Sequence, residues 1–408
     1  MAQQYPSLVY TNCSLSIRHP NMIRSGAGRG EGPWSTTMRV TIIGGGILGT
    51  AHAVEAVRRG HTVVHLERET EARGATVRNF GLVWVSGRST AELDAALRSR
   101  ELWQELGAEI PGIGFRAAGS ITLLRTDAEV AVAREAVDRG DADHRGFTLL
   151  HPEQVRALNP ALRGTFLGGL HCARDAVVES RQALPAIREY LMGTGRYTFL
   201  PGVEARSVDG LTVRDDRGER HGADLVVVCA GAAHAGLVRE LAGDLPVRRV
   251  RLQMMQTEPL GEALTTAIAD ADSFRYYPGF AGPALDALRR NEPQDPVAAD
   301  GHMQLLCVQR LHGGLTIGDT HEYDEPFAFD VSTQPYAYLA ARVEEFLGGP
   351  LPAIRQRWAG VYSQCTDPHQ LVCRTSPEDN VWVVTGPGGR GMTLGPAIAE
   401  HTADLIGM

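Results

Sequence analysis

The residues with the clearest chemical meaning lie in Ile43-Gly44-Gly45-Gly46-Ile47-Leu48-Gly49, where Gly44, Gly46 and Gly49 are spaced G-x-G-x-x-G. Such a segment holds a dinucleotide pyrophosphate. The first glycine permits a tight turn, the second lets the backbone approach phosphate, and the third lets a helix pack closely on the preceding strand. The start of that helix offers unpaired N–H groups to the anion. Glu67 closes the next apolar run. A carboxylate there accepts hydrogen bonds from a ribose 2′-OH and repels a 2′-phosphate, which disfavours NADP. A second glycine cluster, Gly386-Pro387-Gly388-Gly389-Arg390-Gly391-Met392-Thr393, follows Val381–Thr385 near the other end of the chain. Two helix starts separated by a dinucleotide-sized gap favour FAD. The positive end of the later helix would stabilise negative charge on the reduced flavin.

These residues need elements to position them. Val40–Ile43 reads as a buried strand, followed by a helix through Arg59, a stop at Gly60 and a second strand at His61–Leu66. Strand, turn, helix and strand together are the context that a dinucleotide fingerprint requires. Further on, the pattern predicts a helix from Ser89 to Leu106, a strand at 119–124, a helix at 127–139 and a buried strand at Leu225–Gly231. Strand-like alternation dominates 246–356, including Gln304–Gln309 and Leu315–Gly318. Pro278–Asp300, with Pro283, Pro293 and Pro296, reads as a surface excursion.

Composition sets the outer limits. The 408 residues have room for two or three domains. A formal charge of −8 argues against a nucleic-acid partner. The six cysteines include no CxxC pair, so a reducing cytoplasmic setting fits, and no His/Cys group has zinc spacing. Residues 1–37 are polar and glycine-broken, without the apolar stretch of a signal peptide, and are expected to be a disordered extension before Met38. No apolar run is long enough to suggest a membrane span.

From Met38 onward the chain resembles the D-amino-acid-oxidase-type FAD-dependent oxidoreductases, the superfamily of glycine oxidase and monomeric sarcosine oxidase. The resemblance implies an α/β plus α+β architecture, in which an interrupted Rossmann-like FAD-binding domain (38–108, 165–245 and 357–408) carries a mixed-sheet substrate domain (109–164 and 246–356). Ala75, Thr76, Arg78, Asn79 and Gly81 match the family segment that contacts pyrophosphate and flavin. Glu67 and Arg68 match the ribose-binding acid and its basic neighbour. Ala230 and Gly231 match the small pair beside FAD, and Val203 sits where backbone meets adenine. The flavin motif maps onto Gly388, Gly389, Arg390, Gly391, Met392 and Thr393. More narrowly, Val77–Gly81, Arg251–Thr257 and Gly318–Tyr323 are similar to a subgroup associated with phosphonate catabolism, which is proposed to oxidise aminophosphonates. Two departures stand out. Gly360-Val361-Tyr362-Ser363 lacks the cysteine that attaches FAD in sarcosine-oxidase-like proteins, so FAD is expected to be non-covalent. Thr393 stands where those relatives hold a substrate carboxylate with lysine, which leaves room for another anion.

The expected reaction is oxidation of the C–N bond of a small anionic amine through an imine, giving an aldehyde, ammonia or methylamine, and hydrogen peroxide from molecular oxygen. Arg275, Arg310 and His321 are candidates for holding the anion, since arginine grips oxyanions with two hydrogen bonds. Arg390 could border the flavin ring, and Tyr362 and Tyr277 could line the substrate site, with Gln364 and Trp84 as weaker choices. A dehydrogenase of a D-amino acid or 2-hydroxy acid that uses a quinone or another acceptor is the alternative. A non-enzymatic flavoprotein subunit is a third reading.

Overall fold

The computed structural model describes residues 37–408, so almost all of the expected extension lies outside the described residues. Two large sheets organise the rest. The first has six strands in the order Cys373–Glu378, Val381–Thr385, Leu225–Val228, Arg39–Ile43, Thr62–Glu67 and Tyr197–Pro201. All its pairings are parallel except that of the edge strand Cys373–Glu378. Its central strands are apolar on both faces, as a sheet covered on both sides must be. Val40, Ile42 and Val227 pack with the helices on one face; Ile43, Val226 and Val228 pack with Val203, Val213 and Val238 on the other.

The helices Ile47–Arg58 and Gly391–Ile406 lie side by side on this sheet. A Cβ at Gly395 would fall 2.9 Å from Ile47 Cγ1, so glycine sets their close approach. Arg59 Nη1 donates to the Met408 carbonyl at 2.9 Å and ties the two helices together. The helix Thr90–Glu109 starts with a capping box between Ser89 and Glu92, which satisfies two otherwise unpaired amides.

The second sheet has eight strands, in the order Ile354–Cys365, Val247–Pro259, Gly314–Gly318, Leu306–Gln309, Ala267–Asp270, Ser120–Leu124, Gly168–Cys172 and Phe147–Leu150. Only the pairing of Ala267–Asp270 with Ser120–Leu124 is parallel. Gly168–Cys172 therefore sits in this sheet, although the resemblance grouped it with the cofactor-binding segments. Ile354–Cys365 also runs unbroken past residue 357. Its register with Val247–Pro259 continues as far as the pair Val247↔Cys365, which keeps the strand in this sheet along its length.

The proline-rich stretch is not a surface excursion. Pro283 and Pro296 are the first residues of the helices Pro283–Asn291 and Pro296–Asp300, where a missing N–H costs nothing. Those helices bury Leu285, Leu288 and Ala298, and Phe280 is buried just before them.

Candidate active site

A single cavity of about 1790 Å³ extends from Glu67 and Val203, past the Gly44–Ile47 turn, to Tyr362 and the Gly388–Thr393 turn. Gly44 has φ +102°, and a Cβ there would fall 2.3 Å from the Cys229 carbonyl oxygen. A Cβ on Gly49 would fall 2.0 Å from the Gly44 carbonyl. Gly49 thus acts behind the wall, in helix–strand packing, and is not a lining residue. The helix Ile47–Arg58 begins without a side-chain cap at Gly46, and the helix Gly391–Ile406 begins uncapped at Arg390. Both starts open on the cavity.

Glu67 Oε2 accepts from the Gly45 amide at 2.6 Å and Oε1 from the Glu69 amide at 2.9 Å, so this carboxylate is fixed at the cavity edge. Arg68 lines the same edge, exposed and 3.5 Å from Glu69. Val203 lines it too, with its amide committed to the Glu67 carbonyl. Ala75, Thr76, Arg78, Ala230 and Gly231 are on the lining. Thr76 Oγ1 accepts from the Ile47 amide at 3.0 Å, and Arg78 Nη1 donates to the Ala359 carbonyl at 2.6 Å. Asn79 mainly staples its own turn: Nδ2 donates to the Ala75 and Thr76 carbonyls and Oδ1 accepts from the Gly81 amide. Gly81 is not on the lining; at φ +70° it packs where a Cβ would fall 2.0 Å from the Val178 carbonyl.

The donor set fits FAD. Glu67 would meet ribose, the Gly44–Gly46 turn pyrophosphate, and the 388–393 turn the ring, along one continuous cavity. Arg390 lines the ring end, but its guanidinium is occupied by Glu92 Oε1 at 2.5 Å and the Pro387 and Gln370 carbonyls. The Thr393 hydroxyl accepts from the Trp84 amide at 2.9 Å. The Cys365 thiol is buried against Gly386, off the cavity lining, and burial pushes its pKa up to about 12.

Beyond the ring end, polar groups separate into two corners. In one, Arg88 is 3% exposed, its Nε has no partner, and its Cζ lies 5.2 Å from the centre of the Tyr277 ring. Trp84 Nε1 is likewise buried and unpartnered. The other corner holds acceptors. Gln304 Nε2 donates to Tyr277 Oη at 2.8 Å, leaving Gln304 Oε1 without a partner. Asp319 Oδ2 lies 3.8 Å from His321 Nε2. His321 stacks on Tyr276 with ring centroids 4.2 Å apart, and its Nδ1 must donate to the His302 carbonyl, 2.9 Å away. Burial pulls His321 down to about 4, which leaves its Nε2 lone pair free. Tyr362 Oη is buried without a partner, and burial raises the pKa values of both Tyr362 and Tyr277.

Of the residues expected at the substrate end, His321, Tyr277, Tyr362 and Arg390 are brought to the cavity, with Gln364 and Trp84; Arg275 and Arg310 are not. Arg275 pairs with Asp272 at 3.3 Å and donates to the Glu292 carbonyl, bracing the proline-led helices. Arg310 is enclosed by Glu179 and the Phe80 and Val178 carbonyls. Sequence reasoning missed Arg88, Gln304, Asp319, Tyr276 and Tyr323, all of which line the cavity. Asp319 stands two residues before His321, so a signal was present; Arg88 carries none.

A family model described as FAD dependent oxidoreductase matches residues 39–405. D-amino acid dehydrogenase of Cereibacter sphaeroides is 24% identical, covering 90% of this chain and 92% of its own. D-amino-acid oxidase of Streptomyces coelicolor is 30% identical over 64% of this chain and 74% of its own. Glycine oxidase from Geobacillus kaustophilus shares the fold, with a TM-score of 0.72 at 20% identity, over 91% of this chain and 95% of that one. A match from the first strand almost to the end of the last helix, over a cavity that suits the same cofactor, places the chain in the DAO family of FAD-dependent oxidoreductases.

Proposed function

We propose that this enzyme oxidises the C–N bond of a small amine that bears an anion, with an aminophosphonate as the substrate class. The amine becomes an imine, which water converts to an aldehyde plus ammonia or methylamine. Molecular oxygen takes the two electrons and two protons and leaves as hydrogen peroxide. Bound FAD, held without a covalent link, supplies the two-electron chemistry. The chain's own residues bind, orient and desolvate the substrate.

One observation carries this reading: a buried guanidinium with an unpartnered Nε, beside an unpartnered indole N–H, on the cavity wall. The Glu92 carboxylate faces this cation, but a buried guanidinium N–H without a hydrogen-bond partner remains costly, and an oxyanion that enters relieves it. Tyr277 supports the guanidinium from one side. Tyr276 and Tyr362 add aromatic wall that excludes water around the amine. Burial favours the neutral amine over the ammonium, as the oxidation requires.

The test is anaerobic bleaching of the FAD-loaded protein by 2-aminoethylphosphonate, its N-methyl relative, glycine, sarcosine and D-alanine. Bleaching by the aminophosphonates, followed by peroxide when air is admitted, is the expected result. Bleaching by glycine and D-alanine with aminophosphonates inert overturns the substrate class. Reduction without peroxide in air overturns the acceptor and selects a dehydrogenase.

A further inference from the structure

The acceptor corner does more than line a cavity. Gln304 Oε1, His321 Nε2, Tyr362 Oη and the Asp319 carboxyl present lone pairs along one wall. The 3.8 Å gap between His321 Nε2 and Asp319 Oδ2 is too long for a direct hydrogen bond. An ammonium, with three donors, can bridge acceptors set that far apart. Asp319 is itself held in place, with Gln304 Nε2 at 3.4 Å from Oδ1 and two backbone hydrogen bonds joining residues 304 and 319.

We propose that Asp319 is the catalytic group that receives the substrate's ammonium and takes its proton, with Gln304 and His321 as positioning residues. This rests on the amine-oxidation reading above. The step is a proton transfer only: an N–H bond breaks, an O–H bond forms on the carboxylate, and R–NH3+ with Asp319 COO− becomes R–NH2 with Asp319 COOH. Two neutral groups suit a buried site better than two ions, because desolvation penalises both charges.

The surroundings leave the carboxyl without a fixed countercharge. Burial pushes its pKa up to about 8, against a weak opposing hydrogen bond from Gln304. His321 is neutral, and His302 beyond it makes charging His321 harder still. Tyr276 and Tyr277 approach from the helix Asp272–Tyr276 and the turn after it, Tyr323 from the segment after His321, and Tyr362 from Ile354–Cys365; burial raises all four phenols, which keeps them uncharged. Arg88 connects to this corner only through the Tyr277 ring and Gln304.

The reactive form pairs ionised Asp319 with protonated substrate, so kcat/KM of the parent enzyme should rise through about pH 8 and fall as the free amine deprotonates. In Asp319→Asn only amine that is already neutral reacts. The expected loss is roughly 10²-fold near pH 7, shrinking toward about pH 10, with FAD content and melting temperature unchanged. Asp319→Glu should keep the rising limb. Whichever of 2-aminoethylphosphonate and D-alanine bleaches the flavin serves as the probe, so a wrong anion class does not obscure the outcome. A protonated-carboxyl infrared band that titrates near pH 8 and vanishes in Asp319→Asn reports the same proton without any substrate. An equal loss at both pH values, unchanged activity of the variant, or no such band overturns the proposal.

Discussion

Arg88 and Arg310 are almost equally buried, at 3% and 6% exposure, and each has a glutamate near it, yet they differ in how far their N–H groups are satisfied. Arg310 is surrounded: its Nε and Nη2 lie 3.1 and 3.0 Å from Glu179 Oε2, and the Phe80 and Val178 carbonyls take further N–H groups. Arg88 has a tyrosine face beside it and no hydrogen-bond partner for its Nε. Moving a charge out of water costs several kcal/mol per ion unless partners compensate. Where the chain supplies those partners, the charge belongs to the fold. Where an N–H is left without an acceptor, as at Arg88 Nε, a ligand can supply it.

The contrast can be broken most decisively at Arg310. Arg310→Ala leaves the buried Glu179 carboxylate with Arg116 as its remaining guanidinium, 2.8 Å from Oε1, and takes the donor from the Phe80 and Val178 carbonyls. It is expected to cost about 3 kcal/mol of stability, read by thermal or urea unfolding. A variant that melts like the parent but shows a raised KM would exchange the two roles. Arg88→Ala is next: KM for the anionic amine should rise roughly 10²-fold, the effect of losing a charged hydrogen bond, while FAD content and melting stay level. Equal losses on an uncharged amine would show that Arg88 shapes the wall instead of holding an anion. The smallest effect is at the nucleotide end. Glu67→Gln keeps the shape but weakens acceptance from the Gly45 and Glu69 amides and from ribose, for about a tenfold weaker grip on FAD by equilibrium dialysis. Unchanged retention would remove Glu67 from cofactor binding.

The two ends of the cavity also differed in how much of them the sequence disclosed. The nucleotide end is local: glycines at fixed spacing follow a β-branched run, and the need for φ > 0 or for backbone contact restricts the residue type there. The 386–396 junction was readable for the same reason. The substrate end is assembled from residues 84–88, 276–277, 304, 319–323 and 362, which share no periodicity. Arg310 adjoins a strand and so was a reasonable candidate, but the glutamate that claims it lies 131 residues away. Pairing at that separation leaves no local trace. The proline-led helices were misread because proline punctuates loops and helix starts alike, and only buried Leu285 and Leu288 separate the two cases.

The clasp between the two long helices has a consequence for how the enzyme is made. Arg59 and the Met408 carbonyl that it holds are 349 residues apart, and the turn at the ring end belongs to the later helix. A ribosome has already delivered the Gly44–Gly46 loop long before the 388–393 turn, which would cup the flavin ring, exists. Until that turn emerges, a nascent chain would have only the Glu67 and Gly44–Gly46 end with which to hold FAD. Full loading would then report that synthesis has run nearly to its end, and a product terminated before residue 388 is expected to lack flavin colour.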